Sequence, residues 1–363
     1  MCNSNQIKMI THSSKLVFAA WIFLIASFTT SCASALVLDD WDEFDPHDSN
    51  SLMDQLTTAD VIEAKLIVSL DSIESHRKSN DYFPARIEFD NVMGGVIKYD
   101  IKVKTRGKFR RRTCDMPPLK LDFSKKDLEA AGLLPFDDLK LVTHCLEDAA
   151  YSDKLVLKEY LAYKMYNLVT PYSYRVQLLR LTYQDANDPD RKLKRWAFVL
   201  ESDDELAARI GGVECKNCMG QPEDRFDPIH ERMVAMFEYM ICNTDWSIKM
   251  NRNVKFFELP DHRLIPVPYD FDFSGFVKAP YAKSNQDVGQ KGVDHRVFMG
   301  FAEDAREMYG TLALFKTKQP EFNRTILNFR HLPEADKMEL VQYLDTFYQS
   351  INSLEEAQRA LFN

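Results

Sequence analysis

Residues 241–257, ICNTDWSIKMNRNVKFF, followed by 265–275, IPVPYDFDFSG, hold the densest run of chemistry-bearing side chains in this 363-residue chain. A helix is predicted over 227–242, opened by Asp227-Pro228 as N-cap and first-turn pair. An amide-rich loop carrying Asp245 follows, then two strands, 253–259 and 264–270, joined by the turn Pro260-Asp261-His262. On an extended strand Asp270 and Asp272, two positions apart, face one side together. Asn253 stands on the neighbouring strand of the same hairpin. Two carboxylates and a carboxamide converging on one point suit a hard cation, magnesium or manganese. Asp245 stands apart, where it can accept a proton from an attacking hydroxyl, the arrangement that phosphoryl transfer needs. Asn251, nearer to Asp245, competes with Asn253 for the ligand role.

Outward from this hairpin the chain divides. On its N-terminal side, residues 64–70, 85–89, 96–105, 119–123, 139–143, 175–183 and 194–200 read as short strands bounded by turn residues, with one helix at 153–168. On its C-terminal side helices are expected at 295–315, 320–329 and 333–361. The expected fold is α+β: a strand-rich lobe over 59–201, a helix-rich lobe over 202–363, and a cleft where they join.

A second cluster, KVKTRGKFRRR at 102–112, runs through CDMPP into LKLDF at 119–123. Lys102, Lys104 and Arg106 share one strand face, and Gly107 lets the backbone turn close to a ligand. Such a strip clamps a polyphosphate or simply faces solvent; the residues alone leave both open.

The order of these pieces is a strand ending in Arg-Gly, then PPLKLDF, a strand ending in Leu200-Glu201, an Asp-loop-Asn and a Pro-x-Asp-x-Asp strand. Taken together it resembles the CotH family of spore-coat-type atypical protein kinases, from about residue 60 to 310. The resemblance implies a divergent kinase-like two-lobe fold and transfer of phosphate from ATP to a hydroxyl of a protein substrate, with Mg2+ or Mn2+. It implies Lys120 as the phosphate-contacting lysine, with the Arg106 region beside it and Glu201 as its pairing glutamate. Asp245 becomes the catalytic aspartate, and Asn253, Asp270 and Asp272 become the metal ligands. The run Lys108–Arg112 departs from the small polar residues usual after Arg-Gly in that family. The rival expectation is a non-catalytic cell-surface scaffold on the same fold, and a third is another polyphosphate-handling transferase.

The N-terminus reads as an export signal: Lys8 and Lys15, an apolar run at 16–28, then Ala33-Ser34-Ala35 as a cleavage site. Thr29-Thr30-Ser31-Cys32 resembles a lipobox, which would put a lipid on Cys32 and give the protein its one membrane contact. An acidic spacer is expected at 36–58. The formal charge is −9, and the first 35 residues contribute two lysines and no acids. So acidic a body repels a phosphate backbone, which argues against nucleic acid as a partner. Beyond the leader lie five cysteines, Cys114, Cys145, Cys215, Cys218 and Cys242, an odd number that leaves a thiol unpaired. Cys215-Lys-Asn-Cys218 has no second pair at zinc-ribbon spacing and is expected to close a local disulfide or stay idle.

Overall fold

The computed structural model describes residues 50–90 and 94–363. The expected leader, Cys32 and most of the expected acidic spacer lie outside them. The fold is α+β, strand-rich before Leu200 and mainly helical after it. The first part begins with helix α1 (Leu52–Leu56), strand β1 (Ile62–Val68), helix α2 (Leu70–Ser75) and strands β2 (Phe83–Asp90) and β3 (Val96–Thr105). It continues through α3 (Arg110–Thr113), β4 (Leu119–Asp122), α4 (Lys125–Ala130), β5 (Asp138–Val142), the long helix α5 (Ala149–Val169), β6 (Val176–Asp185) and β7 (Lys192–Leu200). In β1, Ile62, Ala64, Leu66 and Val68 alternate inward, the period-2 pattern of a half-buried strand. The seven strands close a barrel in the order β1-β2-β3-β4-β5-β7-β6, sealed by the parallel β1–β6 pair. Leu66, Ile87, Val103, Leu121, Leu141, Leu181 and Val199 fill its interior.

The second part runs α6 (Asp203–Arg209), β8 (Val213–Glu214), α7 (Pro228–Met240), β9 (Val254–Glu258), β10 (Leu264–Pro268), α8 (Tyr309–Leu327), α9 (Glu334–Ser350) and α10 (Leu354–Phe362). Strands β8, β9 and β10 form a small antiparallel sheet in the order β10-β9-β8. Helix α5 lies between the barrel and this part, touching β7, β6 and α8. It is buried on nearly every side from Leu155 to Tyr163, which is why its apolar pattern reads as a broad face rather than a stripe. Cys114–Cys145 and Cys215–Cys218 are disulfides, and Cys242 is a buried free thiol. The first bond ties the end of α3 to the segment entering α5.

Several expectations need correction. The acidic spacer does not extend to residue 58: Ser51 caps α1, whose Leu52, Met53 and Leu56 are buried. No helix begins at His295; α8 starts at Tyr309 and runs on through Pro320. The last predicted helix is two, broken between Ser350 and Leu354, where Ser353 starts a new cap. No helix among the described residues is long and apolar enough to cross a membrane.

Helix α7 carries a buried carboxyl with a measurable consequence. Asp227 caps the helix by accepting the N–H groups of Ile229 and His230. One turn on, Glu231 is 2% exposed and accepts the Phe301 N–H at 3.0 Å. Gly300 lets that segment approach, since a Cβ there would lie 2.6 Å from the Ala235 Cβ. Burial pushes Glu231 up from 4.5 to about 7. A carboxyl raised on folding stabilises fully below its unfolded value and loses that contribution as pH rises through 7. The loss is on the order of 3 kcal/mol by pH 8. Glu231→Gln is therefore expected to raise the Tm relative to the parent at pH 8 and not at pH 5, measured by differential scanning calorimetry. Equal shifts at both pH values would contradict it.

Candidate active site

The site begins at the end of β10. Pro268 is the last strand residue. Asp270 then takes a left-handed conformation, φ 68° and ψ 63°, before a turn of 3-10 helix, Phe271–Phe273. Left-handed backbone is uncommon for a residue with a side chain, though least costly for Asp and Asn. Here the Asp270 N–H donates to Tyr163 Oη at 2.8 Å. Asp270 and Asp272 are thus not on an extended strand, as their spacing suggests. The turn instead aims both at helix α5. Glu159 and Tyr163, four residues apart on α5, present to the same side.

Glu159, Asp270 and Asp272 offer oxygens within 4.8 Å of one another, the group among the described residues that could hold a metal ion. Arg110, at the start of α3, reaches all three. It binds Glu159 through two nitrogens at 3.0 and 3.2 Å, lies 3.3 Å from Asp272 Oδ2 and also bonds Asp270. Arg110, Glu159 and Asp272 are buried, while the Asp270 side chain is 34% exposed and forms the open edge. Burial pushes Glu159 and Asp272 up against the pull of Arg110. Burial would lower Arg110, but Asp272, Glu159 and Asp270 outweigh it and hold it further up. With all three ionised, as a bound cation would hold them, three carboxylates against one guanidinium leave two negative charges. Asp272 Oδ2 is shut off from solvent and has the ion pair with Arg110 Nε in place of a well-formed hydrogen bond. A cluster of carboxylate oxygens short of positive charge, with a buried oxygen that has no well-formed hydrogen bond, has the chemistry to take a divalent cation.

Asp245 sits in the loop after α7. Its N–H donates to Asn243 Oδ1, and its carboxylate lies 3.7 Å from Arg252 Nε. Asn253, at φ 51°, gives its side-chain N–H groups to Asp245, reaching the backbone O at 2.6 Å and Oδ2 at 3.0 Å. Burial raises Asp245 above its ordinary value, Arg252 opposes, and Asp270 adds repulsion. Asn253 therefore orients Asp245 and is not among the three groups gathered around Arg110. The side-chain bonds to Asp245 belong to Asn253 and not to Asn251.

The barrel carries a row of cations of its own. Lys104, Lys120 and Lys140 lie directly opposite one another across β3, β4 and β5, a ladder of like charges that costs stability unless an anion or acid relieves it. Lys120 bonds Asp138 at 2.9 Å, and Lys104 stacks over Tyr82. Lys140 bonds Asp203 and lies over the Tyr174 ring. Tyr174 Oη donates to Asp203 at 2.5 Å, and Lys255 approaches Asp203 at 3.5 Å. Burial would raise Asp203, but Lys140 and then Lys255 hold it well below the carboxylate range. The field of Arg106 reaches Lys140, Glu159, Tyr163 and Tyr269, and its guanidinium has no partner among the described residues.

The expected pairing of Lys120 with Glu201 does not occur. Glu201, fully buried, accepts from Arg175 Nε at 2.9 Å and Arg209 Nη2 at 2.6 Å. It ties β7 and α6 to the start of β6. The glutamate that meets the acidic turn is Glu159 instead. Three participants were missed: Glu159, Arg110 and Lys140. Arg110 lies in a basic run whose residues leave a phosphate clamp and a solvated face equally open, and Glu159 is one acid in an apolar helix. Alternation did offer a signal for Lys140, since its neighbours Leu139 and Leu141 point into the barrel.

No family model matches the chain, and no curated protein matches it. Among solved structures, a proinflammatory kinase of Helicobacter pylori, CtkA, is similar over 70% of this chain and 93% of its own, at 10% identity and a TM-score of 0.38.

Proposed function

We propose that the protein is a divalent-metal-dependent phosphotransferase that moves a phosphoryl group from ATP to a protein hydroxyl, acting outside the cytoplasm after export. The observation that carries this reading is the Glu159–Asp270–Asp272 cluster, three acids gathered around the single cation of Arg110. Asp270 and Asp272 would hold Mg2+ or Mn2+, which when bound supplies neutralisation of phosphate charge. Arg106 and Lys140 would bind phosphate oxygens, and Arg110 braces the cluster through Glu159. Asp245, held by Asn253 and raised by burial, has the proton affinity to accept a hydroxyl proton.

The test is incubation of the purified protein with γ-labelled ATP and Mn2+ or Mg2+. Labelled protein is expected, with none when EDTA is present. Lys140→Met is expected to raise the KM for ATP about tenfold, the loss of one charge-assisted hydrogen bond. An unchanged KM would remove Lys140 from the site.

A second reading has its own observation. The guanidinium of Arg110 already occupies the space between the three carboxylates and could serve as a permanent cation. The protein would then be a non-catalytic scaffold. Absence of both label and any thermal shift with ATP and Mn2+ would favour it.

A further inference from the structure

Next to Arg110 along the chain, the side chains of Arg111 and Arg112 turn to a different surface. With Lys78 they line a cleft of about 410 Å3, and all three side chains are cationic. In a chain of net charge −9 such a grouping is unexpected, because acids are available to pair with it. Lys65, Arg86, Arg175 and Arg263, by contrast, each meet a carboxylate. Among the described residues the side chains of Lys78 and Arg112 meet none, and Arg111 Nε is buried without an acceptor. Three like charges facing one cleft repel one another, and an anion relieves that repulsion.

The cleft is also built. Arg111 Nη1 donates to Ser79 O at 3.2 Å and Asn80 Oδ1 at 3.0 Å, joining α3 to the loop after α2. Arg77, beside Lys78, donates to the carbonyls of Arg111, Cys114 and Asp115. The Cys114–Cys145 disulfide anchors the same turn. Arg111 is therefore held in place before any ligand arrives, on a turn that Arg77 and the disulfide brace. The free guanidinium of Arg112, the Nη2 of Arg111 and the Lys78 ammonium match the tetrahedral oxygens of a phosphate monoester better than a planar carboxylate. The volume also leaves room for the side chain that carries the phosphate.

We propose that Lys78, Arg111 and Arg112 bind the phosphate of an already phosphorylated protein segment, docking it on the face next to the transfer site. The inference rests on the phosphotransferase reading for its purpose. Its binding step needs neither ATP nor metal, so the two can fail separately.

The experiment is fluorescence anisotropy with a labelled phosphoserine peptide of otherwise neutral sequence, beside its serine and glutamate counterparts, in EDTA without nucleotide. The phosphopeptide is expected to bind at least tenfold more tightly than either counterpart and to weaken with salt. Lys78→Gln with Arg112→Gln is expected to abolish that preference while label transfer to a generic acceptor stays at the parent level. Equal binding of the three peptides, or full binding by the double variant, overturns the proposal. Competition by inorganic phosphate at the same concentration as the peptide also overturns it, since the cleft would then be a free-ion site. Peptide preference without any label transfer would keep the docking site and remove the transferase reading.

Discussion

Asp270→Asn is expected to lower label transfer from ATP about 10³-fold or more while leaving the fold in place. The substitution is chosen for its geometry. Asn tolerates left-handed backbone nearly as well as Asp, so φ 68° at this position is kept. The backbone N–H bond to Tyr163 Oη does not depend on the side chain. What changes is charge. The cluster falls from two net negative charges to one, and its most exposed oxygen pair, at the open edge, becomes a carboxamide. A hard divalent cation prefers carboxylate oxygens, so the Tm rise on adding Mn2+ should shrink together with the activity. Activity within threefold of the parent would remove Asp270 from the reaction. Lost activity with an undiminished Mn2+ shift would instead place the ion elsewhere.

Much of the frame was legible because it rests on local pattern. The barrel strands alternate, and helix α7 announces itself with Asp227-Pro228. The hairpin β9–β10 is bounded by its own turn, Pro260-Asp261-His262. All of these signals lie within a few residues. Helix α8 reads as two pieces, 295–315 and 320–329, because Pro320 usually interrupts a helical pattern, whereas here the chain runs through it. The site was legible only in part, for a different reason. Asp270 and Asp272 drew notice by spacing, but strand geometry gave the wrong account of how they meet. Their partner Glu159 is 111 residues away from Asp270 in sequence, and Arg110 is 160 residues away from it. Nothing local marks such pairs: Glu159 sits among the apolar residues of α5, and Arg110 among cations that do other things. Glu201 shows the converse. A glutamate at a strand end resembled a lysine partner, yet Arg175 and Arg209 were nearer once the chain folded.

Arg110→Met should distinguish a metal site from a permanent ion cluster. Removing the guanidinium leaves Glu159, Asp270 and Asp272 with no counterion, two of them buried. Breaking a buried ion pair from one side costs on the order of 3–5 kcal/mol, a Tm fall of roughly 10 °C in EDTA for a chain of this size. Mn2+ should then recover part of the loss, because the variant cluster carries one more negative charge than the parent. The decisive comparison is the size of the Mn2+ shift in each protein. If the cluster takes a metal beside Arg110, the parent shifts and the variant shifts further. If Arg110 is the permanent cation of a scaffold, the parent does not shift and only the variant does, by filling the vacated place. Should neither shift, the three acids are not a metal site and the transferase reading fails with them. Arg110→Lys guards against a variant too unstable to study. It keeps one positive charge but cannot fork across Glu159 while reaching both aspartates, so a smaller loss in EDTA and a Mn2+ shift between those of the parent and Arg110→Met are expected.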